Sequence, residues 1–297
     1  MTTIHPTAFI DSAAPIRRLA RRTTLAFAAV TAVTAVAAAA LLGGCMTAGV
    51  APSRGAAPAA APAPTKTALW VGNSFFYYNN SMHGHVGQLL SAGNPGIGGY
   101  RATSATISGS GINWHDMEAH FKPGGVASYS FDRDNNVVFN TFAKPFDVAI
   151  VMDCSQCPIH PQLSKLFHEY AAKHSATARK YGAEPVLFMS WAYADKPEMT
   201  EQLAAAYVKA GAENRAKVVP AGLAFANSIA KRPALNLYVA DKRHPSLAGT
   251  YLAACTVLAS VYGQSPVGNR YTADLPADVA AHLQAVAWET VLGFRQP

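Results

Sequence analysis

The chain has few charged residues and no basic stripe. Only 14% of its 297 residues are Asp, Glu, Lys or Arg, and the formal net charge is +7. Four arginines and one aspartate fall within residues 1–44, so the remainder carries a net charge of about +4. Because Lys and Arg are scattered, the sequence indicates no nucleic-acid-binding surface. Internal repeats are also lacking, which favours one domain after the N-terminal segments.

Cysteine is scarce as well. The four cysteines are Cys45, Cys154, Cys157 and Cys255. Cys154 and Cys157 form an isolated Cys-x-x-Cys motif, and a zinc site would need a second pair or suitably spaced histidines beyond the nearby His160. Pro158 favours a loop and argues against a redox helix. We therefore expect no metal or other cofactor, and a disulfide either within the motif or with Cys255.

Residues 1–44 have the pattern of an export signal. Paired arginines up to Arg22 precede an apolar run over residues 24–42, which ends in Leu42-Gly43-Gly44-Cys45. A charged region, an apolar stretch and small residues at a cleavage site are typical of secretory signals. The last four residues resemble a bacterial lipoprotein signal box, which implies that Cys45 is lipidated and anchors an exported protein to a membrane. An ordinary cleaved signal, giving a periplasmic or secreted protein, and an uncleaved anchor are the alternatives.

Residues 45–66 are rich in Ala and Pro and have no apolar periodicity, which predicts a linker without a core. Residues 67–297 remain as one domain, long enough to bury a large core. Short apolar runs alternate in them with helical periodicity. We predict strands at residues 68–71, 100–107, 146–152 and 185–190, and a last strand or strand-like run at residues 235–239. We predict helices at residues 81–91, 162–181, 200–218, 221–231, 246–262 and 278–293.

This alternation predicts an α/β fold, in which a mostly parallel sheet of about five strands lies between two helical layers as a three-layer α/β/α sandwich. Residues 113–144 are an aromatic excursion of undetermined structure. Ligand sites in parallel sheets lie at the carboxyl ends of the strands. Polar residues directly after predicted strands are therefore the first candidates for a functional site.

Asp241-Lys242-Arg243-His244-Pro245-Ser246 places a carboxylate and an imidazole three residues apart before a helix. Pro245 and Ser246 supply a bend and a helix cap. A carboxylate that orients a histidine is typical of a general base serving a nucleophile. A solvated turn with a helix cap is the structural alternative.

Ser74 is the candidate nucleophile. It follows the first predicted strand in Gly72-Asn73-Ser74, where a hydroxyl would be presented at the sheet edge beside free backbone N–H groups. The surrounding sequence differs from the Gly-x-Ser-x-Gly elbow of α/β-hydrolases, because Phe76 takes the place of the second glycine. A serine that only caps a helix is the alternative.

Taken together, Gly72-Asn73-Ser74 and Asp241-x-x-His244-Pro245-Ser246 resemble the SGNH (GDSL-like) hydrolases over roughly residues 67–263. Asn73 stands where that family usually has an aspartate. The resemblance implies a triad of Ser74, His244 and Asp241, and an oxyanion hole with backbone N–H groups of Ser74 and of a glycine after the second strand. Gly109 and Gly111 both fit that position, and we prefer Gly111.

The third block of the family, Gly-x-Asn-Asp, is missing after the third strand. The chain has Asp153-Cys154-Ser155-Gln156-Cys157 there, and Gln156 is the one carboxamide that could replace the asparagine. The resemblance implies hydrolysis of acyl or acetyl esters of a small molecule or glycan, with the envelope or imported carbohydrate as the source. An O-acyltransferase with the same triad and a non-catalytic envelope binding protein of the same fold are the alternatives.

Overall fold

The described part of the chain consists of residues 67–95, 100–126 and 128–296 of a computed structural model. The predicted signal, Cys45 and the linker lie outside these residues. The strands are β1 (Ala68–Gly72), β2 (Ala102–Thr106), β3 (Tyr129–Phe131), β4 (Val137–Phe139), β5 (Val148–Val151), β6 (Glu184–Phe188) and β7 (Lys217–Val219). The helices are α1 (Ser74–Tyr77), α2 (Met82–Gly93), α3 (Met117–Phe121), α4 (Ser164–Lys180), α5 (Met199–Asn214), α6 (Ala221–Lys231), α7 (Leu247–Tyr262) and α8 (Ala277–Gly293).

Five strands form one parallel sheet in the order β2-β1-β5-β6-β7. Strands β1 and β5 are buried along their whole length, as expected of strands covered on both faces. β3 and β4 form a separate antiparallel hairpin whose side chains are exposed.

Successive side chains of the sheet point into two different cores. Trp70 and Ile150 pack with α2, α6, α7 and α8, whereas Leu69 and Val151 pack with α3, α4 and α5. This alternation follows from the two-residue period of a strand. The predicted α/β/α sandwich with a five-stranded parallel sheet is confirmed.

One predicted helix is wrong at its C-terminal end, where the chain enters the edge strand of the sheet. The helix expected over residues 200–218 ends at Asn214, because Arg215 turns into the left-handed region at φ 49°. Val218 and Val219 then form most of β7, since β-branched residues before Pro220 favour a strand over a helix.

The strand expected over residues 235–239 is not part of the sheet. Its only ladder contact among the described residues is an isolated antiparallel bridge between Tyr238 and Pro245. This segment folds back on the chain that follows it and forms one arm of the loop carrying His244. Its apolar residues therefore support the loop rather than extend the sheet. No helix among the described residues has the length and apolar character needed to cross a bilayer.

Candidate active site

Ser74 lies at the carboxyl end of β1, as the first residue of α1. Asn73 caps this helix, with its side-chain oxygen accepting a hydrogen bond from Phe75 N at 3.2 Å. Gly72 is required by a close approach, because a Cβ there would come within 2.9 Å of the Phe76 ring. Ser74 remains 8% exposed, so the turn presents its hydroxyl at a partly open position.

His244 lies on a tight loop that packs against the same edge. Val239 N donates to His244 O at 3.0 Å, and Ser246 N donates to Leu237 O at 2.9 Å. Lys242 has φ 64°, which reverses the chain between Asp241 and His244. Ser246 caps α7, because its Oγ accepts a hydrogen bond from Gly249 N, three residues further on, at 3.3 Å, as its position before the helix predicts.

The two loops bring together three side chains that are distant in sequence. Ser74 Oγ lies 2.7 Å from His244 Nε2, and His244 Nδ1 lies 2.5 Å from Asp241 Oδ2. Both ring nitrogens of the histidine are therefore engaged. The hydrogen bond to the carboxylate favours the tautomer with its proton on Nδ1, which leaves Nε2 free to accept the serine proton.

The Asp241 carboxylate is stabilised by its own loop. Partial burial opposes its ionisation, but the hydrogen bond to His244 and the backbone N–H groups of Arg243 and His244, each 2.9 Å from Oδ1, outweigh it. The result is a pKa lowered to about 2. Asp241 therefore stays ionised across the physiological range and can hold an imidazolium beside it.

The Asn73 carboxamide joins the ends of three neighbouring strands. Its Nδ2 donates to Ser110 O at 3.1 Å, in the loop after β2, and to Asp153 O at 3.2 Å, directly after β5. Asn73 is 4% exposed, so both carbonyls would lose a buried donor without it. An aspartate, the usual residue of the resembling family, has no N–H to donate when ionised.

Ser110 and His115 form a second buried contact with the turn that carries Ser74. Ser110 Oγ donates to Gly72 O at 3.1 Å and lies 3.0 Å from His115 Nε2, which therefore acts as the donor. Burial lowers the pKa of His115 to about 4, so it is neutral at pH 7. These two hydrogen bonds fix the Gly72 peptide, two residues before Ser74.

The expected oxyanion donors differ in their surroundings. The backbone N–H groups of Ser74 and Gly111 have no acceptor among the described residues. Gly111 follows Ser110, which Asn73 ties to the serine turn. Gln156 is exposed, and its side chain makes no hydrogen bond to the described part of the chain. The role of Gln156 as third donor therefore stays a prediction.

Asp153 occupies the end of β5, where the third block of the family would begin. Its Oδ1 accepts hydrogen bonds from Ile112 N and Cys154 N, both at 2.7 Å. Burial raises the pKa of Asp153 to about 6 even though these two donors act in the opposite direction. The carboxyl group thus links the Gly111–Ile112 segment to the loop after β5.

The cysteines of that loop are paired with each other. Cys154 and Cys157 form a disulfide, and Cys255 is a free thiol buried in α7. Among the described residues, Asp153, Cys154 and Cys157 are the one group whose potential metal ligands cluster. Because both sulfur atoms belong to the disulfide, they do not offer thiolates to a metal ion.

Aromatic side chains surround the His244 ring. Tyr78 stacks on it with ring centroids 4.3 Å apart and an interplanar angle of 11°, and Phe75 meets it edge-on at 5.3 Å. Trp191 is fully buried and donates from Nε1 to Arg243 O at 2.9 Å. Trp191 therefore supports the His244 loop from the protein interior.

Asp153 and Ser110 belong to the site, although neither was predicted as a site residue. A charged residue directly after a buried strand was a usable signal for Asp153. Ser110 contributes through contacts with distant segments, for which no local pattern exists.

Asn73→Asp should damage the site even though it restores the usual family residue. The variant loses both hydrogen bonds to the carbonyls of Ser110 and Asp153. It also buries a second carboxyl group near that of Asp153. We expect a loss of about 3 kcal/mol or more in the free energy of unfolding at pH 7, measured by urea denaturation. Asn135→Asp, in the exposed hairpin turn, is the matched control. Equal stability of the two variants would contradict a stabilising role of the Asn73 hydrogen bonds to Ser110 and Asp153.

Asp153→Asn should change how stability depends on pH. A folded-state pKa near 6, above the ordinary value of 3.8, means that the folded protein holds this proton more tightly. The stabilisation is present below about pH 4 and is lost as pH rises through 6. Relative to the wild type, the free energy of unfolding of the variant should therefore rise by about 2 kcal/mol between pH 4 and pH 7. A constant difference in urea denaturation across this range would contradict the assignment.

Comparison with known proteins supports the architecture. No protein-family model matches the sequence, and a search of curated proteins finds no match. A DUF4886 family protein from Bacteroides uniformis is 18% identical, with a TM-score of 0.54 over 77% of this chain and 95% of that chain. A GDSL-like lipase-type protein from Parabacteroides merdae is 13% identical, with a TM-score of 0.51 over 68% of this chain and 97% of the other. The described part of the chain therefore has the fold of the SGNH (GDSL-like) hydrolases.

Proposed function

We propose that the protein is a serine ester hydrolase that cleaves carboxylic esters with Ser74, His244 and Asp241. The observation that carries the proposal is the continuous chain of hydrogen bonds from Ser74 Oγ to His244 Nε2 at 2.7 Å and from His244 Nδ1 to Asp241 at 2.5 Å. A solvated turn with a helix cap would require neither contact. The shared fold is compatible with this chemistry but does not by itself imply it.

The proposed reaction is a double displacement. His244 takes the proton of Ser74 as the serine oxygen attacks the ester carbonyl, and returns it to the departing alcohol. Water, activated by the same histidine, then cleaves the acyl-enzyme. Asp241 keeps the imidazole in the required tautomer and stabilises the cation that forms. Its pKa of about 2 keeps it ionised throughout the cycle.

Two backbone N–H groups, those of Ser74 and Gly111, are the proposed oxyanion donors. Both lack other acceptors among the described residues, and Asn73 and Asp153 hold the segments that carry them. Gln156 is the proposed third donor, and its exposed, unbonded side chain has the freedom to approach a bound substrate. Removing one such donor typically costs about 3 kcal/mol in the transition state.

The proposed substrates are acyl or acetyl esters, on a small molecule or glycan. A cavity of about 360 Å³ adjoins Gly111 on the oxyanion side and is walled by Ile112, Leu163, Leu166 and the Cys154–Cys157 disulfide. Its apolar walls fit the acyl part of an ester. Trp114, exposed at its rim, offers a flat apolar surface of the kind that sugar rings contact.

A non-catalytic binding protein is the second candidate, and the observation in its favour is the missing third block. An O-acyltransferase would use the same triad with an alcohol in place of water. Ser74→Ala separates catalysis from binding. We expect hydrolysis of a short-chain aryl ester to fall by about 10⁴-fold or more, because the nucleophile is lost.

Ser104→Ala, which removes an exposed hydroxyl from β2, is the matched control and should keep the wild-type rate. Equal rates for Ser74→Ala and the wild type would refute the nucleophile. Adding competing alcohols to the assay distinguishes transfer from hydrolysis by the products formed.

We also propose that the protein is exported and held at a membrane by a lipid on Cys45. The supporting pattern is the basic, apolar and small-residue sequence that ends at Leu42-Gly43-Gly44-Cys45. Incorporation of an alkyne fatty acid during growth should label the wild type and not Cys45→Ser. Labelling of both proteins alike would contradict lipidation at this residue.

A further inference from the structure

A strained turn lies beside the catalytic histidine. Asn79, Asn80 and Ser81 have φ angles of 52°, 64° and 69°, three consecutive non-glycine residues in a region that L residues rarely adopt. Asparagine tolerates such angles better than most residues, whereas serine does so poorly. Backbone strain of this kind persists only where surrounding contacts enforce it, and it is concentrated at functional sites.

The contacts that enforce the turn lead to the His244 loop. Asn79 Nδ2 donates to Pro245 O at 3.0 Å and to Thr250 Oγ1 at 2.8 Å. Pro245 directly follows the catalytic histidine, and Thr250 lies on the helix that the loop opens. One carboxamide therefore connects the loop of the base to the segment that follows the nucleophile.

The turn is itself anchored from the opposite side. His85 Nε2 donates to Asn79 O at 2.7 Å, and Tyr271 donates its hydroxyl proton to His85 Nδ1 at 2.7 Å. Tyr251 OH donates to Tyr271 O at 2.6 Å, and the buried Gln284 donates to Tyr251 OH at 2.8 Å. A continuous polar network thus runs from α8 through α7 and α2 to Asn79.

The residue that precedes Asn79 contacts the imidazole directly. Tyr78 stacks on His244 almost in parallel, with ring centroids 4.3 Å apart. An aromatic face attracts a cation, so the same contact stabilises His244 while it carries the serine proton. Tyr78 thus contacts the His244 ring, and its neighbour Asn79 holds the His244 loop.

We propose that the Tyr78–Asn79 turn is a clamp for the catalytic histidine, in which Tyr78 fixes the ring plane and Asn79 fixes the loop position. The inference rests on the proposed function of His244 as a general base. Asn79 is a positioning residue, since it acts through the Pro245 carbonyl. The strain at the turn is maintained because the network through His85 holds Asn79 in place on the other side.

The test compares glycine variants of two adjacent asparagines. Glycine adopts positive φ without strain, so Asn79→Gly removes the two side-chain hydrogen bonds without burdening the backbone. Asn80→Gly makes the same change at an exposed position without a side-chain hydrogen bond among the described residues. We expect Asn79→Gly to lower kcat for an aryl ester by about 10²-fold with little change in KM, because misplacement of a catalytic group has effects of this size. Asn80→Gly should leave both constants unchanged.

Tyrosine variants test the ring contact separately. Tyr78→Phe keeps the aromatic face and should retain the wild-type kcat, whereas Tyr78→Leu should lower it. Tyr129→Leu is the matched control and should keep the wild-type kcat, since Tyr129 is exposed in the β3–β4 hairpin and has no ring contact with His244 within the described residues. Equal kcat values for Tyr78→Leu and Tyr78→Phe would overturn the role of the ring.

A second readout separates failure of the clamp from failure of the proposed function. The proton on Nδ1 of His244 should give a low-field NMR signal, assigned by its loss in His244→Gln. We expect this signal to broaden in Asn79→Gly and to persist in Asn80→Gly. If the wild type hydrolyses no ester but this contrast is seen, the clamp stands and the proposed function fails. If the two glycine variants agree in both the signal and kcat, the clamp is overturned.

Discussion

The hydrogen bonds of the Asn73 carboxamide are the interaction on which the Ser74 side of the site depends. A parallel sheet delivers the ends of β2, β1 and β5 to one edge, but the loops beyond them have no ladder to hold them. Asn73 supplies two donors to the carbonyls of Ser110 and Asp153 and one acceptor to Phe75 N. Only a carboxamide offers both functions at that length without charge. Asn73 in Gly72-Asn73-Ser74 therefore holds the three loops together in addition to preceding Ser74 in the sequence pattern.

The base side is built from a different set of contacts. Its loop is closed by a bridge between Tyr238 and Pro245 and is supported from beneath by Trp191. The 2.7 Å contact between Ser74 and His244 thus joins two separately supported units. Such a junction is sensitive to small displacements of either unit, since a hydrogen bond weakens quickly with distance and angle. Phe75, Tyr78 and Asn79 follow the serine and contact His244 or its loop, so they connect the two units.

Local sequence signals named the candidate residues. Asp241 and His244 share one turn, and Ser74 follows a buried run, but the resemblance to a known family was needed to join them into one triad. The structure brings the three side chains within hydrogen-bonding distance, and their catalytic role stays a prediction. The secondary-structure prediction failed at Val218 and Val219, because the helical periodicity of the sequence continued past Arg215, where the helix ends. The apolar run before Asp241 also matched a strand, although tertiary contacts pair it with its own loop. Contacts between distant segments leave no periodic trace, which is why Asn79 was not identified.

The loop after β5 shows how the oxyanion side differs from the resembling family. In place of a carboxamide block, the chain has a buried carboxyl group followed by a disulfide, which together fix the backbone of the loop. Asp153 stabilises the Gly111–Ile112 segment, but a carboxylate cannot donate to an oxyanion. A hole with two backbone donors gives less stabilisation than one with three, by roughly 3 kcal/mol. The proposed hydrolase would therefore act best on esters with good leaving groups, with Gln156 as the proposed third donor once substrate binds.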